Sequence, residues 1–361
     1  MADAASSTSP SETTAASVEP LLDIRNLSVT FGRTAPVHAV VDAALRIDPG
    51  ERIGLIGESG SGKSVTAMTI MRLLDERHAN LGPESSIRFD GREILALSPG
   101  ELRRLRGAEI GMIFQNPMSS LNPTRRIGKQ ISQMLERMDD VPADQARRTA
   151  LDLLEEVGLP DPERTYRAYP HQLSGGMRQR ALIAMVLSRE PRLVIADEPT
   201  SALDVTVQAS LLEMLKARTR ERGISVLMIT HDLGVVAQFC QRVYVMYGGC
   251  VVEEGPVGAV LKRPAHPYTA ALARCVPTIA GDRYDELPMI PGRQVTRREV
   301  PTACTFADRC DWVVDRCREA RPLPQDVAAS GTRAACFRSD EVAVADTLVQ
   351  TEALAEGEMH S

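Results

Sequence analysis

The chain is 361 residues long, 43% hydrophobic and 25% charged, the balance of a globular protein with a sizeable core. That excludes a collagenous, disordered or disulfide-scaffold protein, and no apolar run approaches the ~18 residues that a membrane-crossing helix needs. Forty-two Lys and Arg against 48 Asp and Glu leave a net charge of −6, so no global basic field points to nucleic acid as a partner.

Residues 1–20 carry no Lys or Arg and no apolar centre, so they read as a disordered leader rather than a secretory signal, an expectation that keeps the protein in the cytoplasm. From Leu22 to about Val252 short β-rich runs alternate with amphipathic helical stretches. Ile24–Phe31 and Ala39–Ile47 read as antiparallel edge strands. Arg52–Ile56, Ile110–Phe114, Leu193–Ala196, Val226–Thr230 and Val243–Met246 read as buried strands of an α/β sheet. Between Pro117 and Leu187 helical segments take over (Ile127–Arg137, Ala143–Val157 and Met177–Ser188), predicting a helical subdomain inserted at about 117–187. After Pro264 a Pro-rich, cysteine-bearing segment of weak periodicity follows. The expected organisation is an α/β core over 21–264, a small cysteine-containing C-terminal domain over 265–338 and an acidic, solvated tail over 339–361.

Gly57-Glu58-Ser59-Gly60-Ser61-Gly62-Lys63-Ser64 follows the strand RIGLI and opens a helix, the strand–loop–helix context that a phosphate-binding loop requires. Its glycines let backbone N–H groups curl around phosphate oxygens, and the helix N-terminus adds its dipole. Lys63 is placed to reach the β/γ-phosphates, and the Ser64 hydroxyl to complete a Mg²⁺ shell. The chain has four lysines, at 63, 129, 216 and 262, and only the first sits where no arginine would serve. Leu193–Ala196 ends in Asp197 and Glu198: the first can hold the magnesium opposite Ser64, and the second can orient or deprotonate an attacking water.

A third segment, Leu173-Ser174-Gly175-Gly176-Met177-Arg178-Gln179-Arg180, begins a helix with a serine cap and two glycines. It is a second phosphate-binding helix end with no lysine of its own, which suggests that Ser174, Gly175 and Gly176 complete the nucleotide site of another subunit.

Together these motifs strongly resemble the ATP-binding subunits of ABC transporters, over roughly Leu22 to Cys336 and in that family's order, which implies the P-loop ABC-type ATPase fold. The resemblance assigns Gln115 to the Q-loop glutamine that ligates Mg²⁺, Asp204 (in Ser201-Ala202-Leu203-Asp204) to the D-loop, and His231 to the switch histidine on the γ-phosphate. Phe31 becomes the candidate for stacking on adenine, a core phenylalanine being the alternative. Met177 stands where many members have glutamine. His266-Pro267-Tyr268-Thr269 and the cysteine segment after it resemble the C-terminal extension of dipeptide, oligopeptide and nickel importer ATPases.

Four of the seven cysteines, Cys304, Cys310, Cys317 and Cys336, give C-x5-C-x6-C-x18-C. Zinc sites usually pair cysteines more closely, so the wider gaps favour a [4Fe–4S] cluster, with zinc second, as a staple for a segment poor in core residues. The implied working unit is two ATPase subunits, the second a paralogue of the first, on two transmembrane permease subunits. They would sit at the cytoplasmic face of the cell membrane, served indirectly by an extracytoplasmic binding protein. A soluble DNA-repair ATPase shares the motifs, but no heptad run or zinc module lies between Ser64 and Ser174. A ribosome-acting ABC protein would carry two cassettes, and this chain carries one.

Overall fold

The computed structural model describes residues 19–345 apart from 33, 116–119, 139, 202–203, 276–288 and 293–297. The expected leader up to residue 18 and the tail beyond 345 lie outside the described residues. In chain order the strands are β1 (Leu22–Phe31), β2 (Val37–Ile47), β3 (Arg52–Ile56), β4 (Ala79–Leu81), β5 (Ser86–Phe89), β6 (Arg92–Glu93), β7 (Ile110–Ile113), β8 (Leu193–Asp197), β9 (Ser225–Ile229), β10 (Arg242–Tyr247), β11 (Cys250–Pro256), β12 (Gln325–Val327) and β13 (Thr332–Ala334). The helices are α1 (Lys63–Ile70), α2 (Pro99–Ala108), α3 (Ile127–Met138), α4 (Ala143–Glu156), α5 (Pro162–Arg167), α6 (Gly175–Leu187), α7 (Val205–Glu221), α8 (Leu233–Phe239), α9 (Val257–Lys262), α10 (Pro267–Arg274), α11 (Asp315–Glu319) and α12 (Ser339–Val344). None is long and apolar enough to cross a membrane.

The two N-terminal strands are antiparallel, as expected, but they do not edge the main sheet. They belong to a sheet of their own in the order β2-β1-β5-β6, with β4 also on β1. The main sheet runs β12-β13-β11-β10-β3-β9-β8-β7. Its middle, from β10 through β3, β9 and β8 to β7, is parallel. Both faces of that region are covered, which is why β8 and β9 are buried at every position. The pleat divides them between two cores. Leu193, Ile195, Leu227 and Ile229 face the first sheet, while Val194, Ala196, Val226 and Met228 face α6, α7 and the inserted helices.

The inserted helical block forms where its periodicity predicts it, with α3, α4 and α6 within two residues of the expected bounds and the short α5 added. The C-terminal segment differs from expectation. Instead of standing apart, its hairpin β12–β13 pairs antiparallel with β11 and extends the main sheet. Its own apolar cluster holds only Ala265, Val327, Ala334 and Ala343, with Ala329 beside it, whereas Phe306 packs into the core formed by Tyr247 and Tyr268. Residues 339–344, read from sequence as the start of the tail, form α12 with Val342 and Ala343 buried. The His266-Pro267-Tyr268 run is an anchor. The backbone N–H groups of Ala265 and His266 donate to the Glu253 carboxylate of β11 at 2.8 and 3.0 Å, and the Tyr268 N–H donates to His266 Nδ1 at 3.1 Å. Burial lowers the His266 pKa to about 3, so its ring is neutral and can accept.

Candidate active site

Because β3, β9, β8 and β7 are parallel, their carboxyl ends open on the same edge of the sheet, and the loops leaving them meet there. The loop after β3 carries Gly57 to Ser64, that after β8 carries Glu198, that after β9 carries His231, and that after β7 carries Gln115.

The phosphate loop is held tightly at its ends. Gly57 has φ +147°, and a Cβ there would lie 2.1 Å from the Met246 carbonyl oxygen of β10. Gly62 has φ +106° and would place a Cβ 2.5 Å from the Ala39 carbonyl oxygen, so only glycine fits either position. Ser61 accepts the Gly249 N–H at its carbonyl, 3.1 Å away, tying the loop to the β10–β11 turn. Lys63, only 6% exposed, opens α1 and folds back over the loop. Its Nζ donates to the carbonyl oxygens of Gly57 and Glu58 at 2.7 and 2.9 Å and reaches Ser61 Oγ at 3.5 Å. Burial lowers the Lys63 pKa, while the charges of Glu198, Asp197 and Glu58 oppose that shift.

Ser64 Oγ donates to Asp197 Oδ1 at 3.2 Å. Burial raises the Asp197 pKa and so does Glu198, against the Ser64 hydrogen bond and the Lys63 charge. A hydroxyl and a carboxylate converging beside a phosphate loop are the hard oxygen donors that Mg²⁺ takes, so the donor set fits this ion.

Glu198 sits at the centre of the loops. Gln115 Nε2 donates to its Oε2 at 2.8 Å, and His231 Nδ1 lies 3.1 Å from its Oε1. Its backbone has φ +47°, the left-handed region, and its N–H donates to the Ile229 carbonyl at 2.8 Å. A non-glycine residue held there carries strain that the neighbouring strand sustains. Two side chains from two other loops thus fix one carboxylate.

The Leu173–Arg180 segment opens α6. Ser174 caps α6, its Oγ accepting the Met177 N–H at 3.3 Å, and Ser174 and Gly175 are exposed. Gly176 abuts α7, since a Cβ there would lie 2.8 Å from Val207 Cγ1, whereas one at Gly175 would meet open space. Asp204 caps α7 through the Val207 N–H at 3.0 Å. Ala202 and Leu203 lie outside the described residues. Phe31 ends β1, half-buried against the first core.

The four cysteines of the C-terminal segment are a correction. Among the described residues no group of three or more His, Cys, Asp or Glu stands close enough to share a metal ion, so Cys304, Cys310, Cys317 and Cys336 do not form a ready metal site. Burial, added to by the neighbouring sulfurs, pushes the Cys310 and Cys336 thiols up to about 11 and about 12, which disfavours the thiolates that would bind. Two residues in the C-terminal segment went unassigned from sequence. Tyr268, in the His-Pro-Tyr run, accepts the Glu58 N–H at its hydroxyl, 2.8 Å away, and Arg309 pairs with the Glu58 carboxylate. Nothing local in either stretch signals a contact with a loop so far back in the chain.

The family described as ABC transporter matches residues 40–201, and the C-terminal region of the oligopeptide/dipeptide transporter family matches 252–317. A probable peptide ABC transporter ATP-binding protein of Sinorhizobium fredii is 46% identical over 89% of this chain and 96% of its own length. A probable D,D-dipeptide transport ATP-binding protein of Escherichia coli is 45% identical over 88% of this chain and 97% of its own. Among solved structures, a dimeric ATP-binding cassette in a post-hydrolysis state with ADP and Pi is 28% identical, covering 65% of this chain and 98% of that one with a TM-score of 0.59. With the phosphate loop, the paired carboxylates and the fold all matching, this chain belongs to the ATP-hydrolysing, ATP-binding subunits of the ABC transporter family.

Proposed function

We propose that the chain powers import of dipeptides or oligopeptides, hydrolysing ATP held between two ATPase subunits that sit on two permease subunits at the cytoplasmic face of the membrane. The carrying observation is Glu198, held by Gln115 and His231 beside the phosphate loop and the Ser64–Asp197 pair. Gln115 and His231 aim its two oxygens, so that Glu198 takes a proton from the attacking water. The water oxygen bonds to the γ-phosphorus as the bond to the bridging β–γ oxygen breaks, giving ADP and phosphate. Lys63 exchanges its own loop's carbonyls for the β/γ-phosphates. Ser64, Asp197 and Gln115 would hold Mg²⁺, which when bound neutralises charge on the phosphates. Phe31 would stack on adenine.

The exposed Ser174–Gly176 helix end and Asp204 serve the nucleotide of the second ATPase subunit, which the importer's paralogue would supply. The peptide substrate class is supported by the named relatives and by the matched C-terminal region. A groove of about 480 Å³ lined by Met112, Phe114, Met134, Leu182 and Met185 suits a short helix of a permease, because methionines adapt to an apolar partner. The sharing of the site is tested by dilution. Specific ATPase activity of the purified chain is expected to fall as the protein is diluted and to rise when permease and partner ATPase are added. A species shown by sedimentation to be monomeric yet turning over at the full rate would sink the shared site.

A further inference from the structure

A loop built to embrace a polyphosphate carries a carboxylate at its second position, Glu58, and a bare negative charge there repels its ligand. The C-terminal segment answers it. Arg309, whose side chain is 7% exposed, presents both terminal nitrogens of its guanidinium to Glu58: Nη1 to Oε2 at 3.0 Å and Nη2 to Oε1 at 3.1 Å. This is the fork geometry that only arginine offers a carboxylate.

The rest of the guanidinium is fixed as well. Nε donates to the Pro291 carbonyl at 2.6 Å, Nη2 to the Ile290 carbonyl at 3.2 Å, and Nη1 to the Tyr247 hydroxyl at 3.2 Å. Beneath it Tyr247, Tyr268 and Phe306 form an aromatic cluster, with ring centroids 4.6 Å apart for Tyr247–Tyr268 and 5.1 Å for Tyr247–Phe306. The guanidinium carbon lies 5.7 Å from the Tyr247 centroid and 6.0 Å from that of Phe306. Tyr268, fully buried, points its hydroxyl to the Glu58 N–H. Every polar group of one loop residue is thereby engaged: the N–H by Tyr268, the carboxylate by Arg309, and the carbonyl by Lys63.

We infer that Arg309 and Tyr268 are positioning residues for the phosphate loop, holding Glu58 in place and neutralising its charge, so that the C-terminal segment sets the affinity of the nucleotide site. This rests on the phosphate-loop role proposed above. Both residues lie beyond β11, the last strand before the C-terminal segment, and their effect on nucleotide runs through Glu58 alone. Without Arg309 the Glu58 carboxylate faces the incoming phosphates unpaired and competes with them for Lys63. Without the Tyr268 hydroxyl the loop loses a backbone tether and must be ordered by the ligand itself.

The test uses the full chain and a fluorescent Mg-ATP analogue, titrated for Kd, with KM and kcat measured alongside. Arg309→Met is expected to weaken binding and raise KM about tenfold, the loss typical of a stranded charge partner, while kcat at saturation changes little. Adding Glu58→Gln to Arg309→Met should recover most of the lost affinity, because it removes the stranded charge. A purely structural role would give no such recovery. Tyr268→Phe, which deletes one oxygen, should weaken binding by about threefold and serves if Arg309→Met does not fold. Wild-type affinity in a folded Arg309→Met or in Tyr268→Phe overturns the inference, and so does a double variant no better than Arg309→Met. Lys63→Ala, run beside them, separates the two readings: if it leaves affinity unchanged, the phosphate-loop role itself is wrong.

Discussion

Turnover by a Glu198→Gln variant is expected to fall by about 10²–10⁴-fold while ATP still binds, as measured by phosphate release and by equilibrium titration. The amide keeps the volume and the strained backbone at φ +47° but cannot take a proton from water. It also disturbs the carboxylate's two contacts. Of the oxygens that face Gln115 Nε2 and His231 Nδ1, one becomes an NH₂ group that must turn toward a donor or surrender its bond. Since binding is retained and hydrolysis is not, the variant should accumulate as a nucleotide-bound dimer on size exclusion. Hydrolysis at the parental rate would show that another group serves as base.

Lys63→Ala should act on the other side of the cycle. Its ammonium is the one lysine charge at the loop, and its loss is expected to weaken nucleotide binding by about tenfold to a hundredfold, the worth of a charge-assisted contact to phosphate. Stability without nucleotide should change much less, because two effects oppose each other. Burial disfavours the charged amine, so its removal relieves a cost, yet Asp197, Glu198 and Glu58 lose their shared cation. Thermal unfolding separates the two. The melting temperature of the apo-variant should lie near that of the parent, while the upward shift that ATP gives the parent should disappear. A parental ATP-induced shift in this variant would count against the role of Lys63.

Much of the nucleotide site was legible because its constraints are local. A phosphate loop needs glycines at fixed offsets between a strand and a helix, and Gly57 and Gly62 stand at φ values and close contacts that no other residue tolerates. The meeting of Gln115, Glu198 and His231 was not legible from periodicity. It depends on the lateral order β9-β8-β7, which no single stretch of sequence encodes, and only the family resemblance supplied it. The hairpin β12–β13 went unread for another reason: strands of three residues give too few positions for an alternation to show. The cysteine segment is poor in apolar residues, and what it leans on is the ATPase sheet and the Tyr247–Tyr268–Phe306 cluster.

The position of β3 has a consequence for how the chain comes to be folded during synthesis. Its two neighbours in the sheet are β9 and β10, so Arg52 waits for Val226 and Ile53 for Arg242. At the usual pace of translation that interval of about 190 residues lasts roughly 10–40 s. Until then β3 lacks both of its flanking strands, and the loop that follows it lacks the Met246 carbonyl that Gly57 faces and the Gly249 N–H that Ser61 accepts. The nucleotide site is therefore among the last parts of the ATPase core to form, although its motif is among the first to leave the ribosome. A nascent chain halted before β9 would carry the complete phosphate-loop sequence and bind no ATP, and it would expose an apolar strand with two open edges to its neighbours on the polysome.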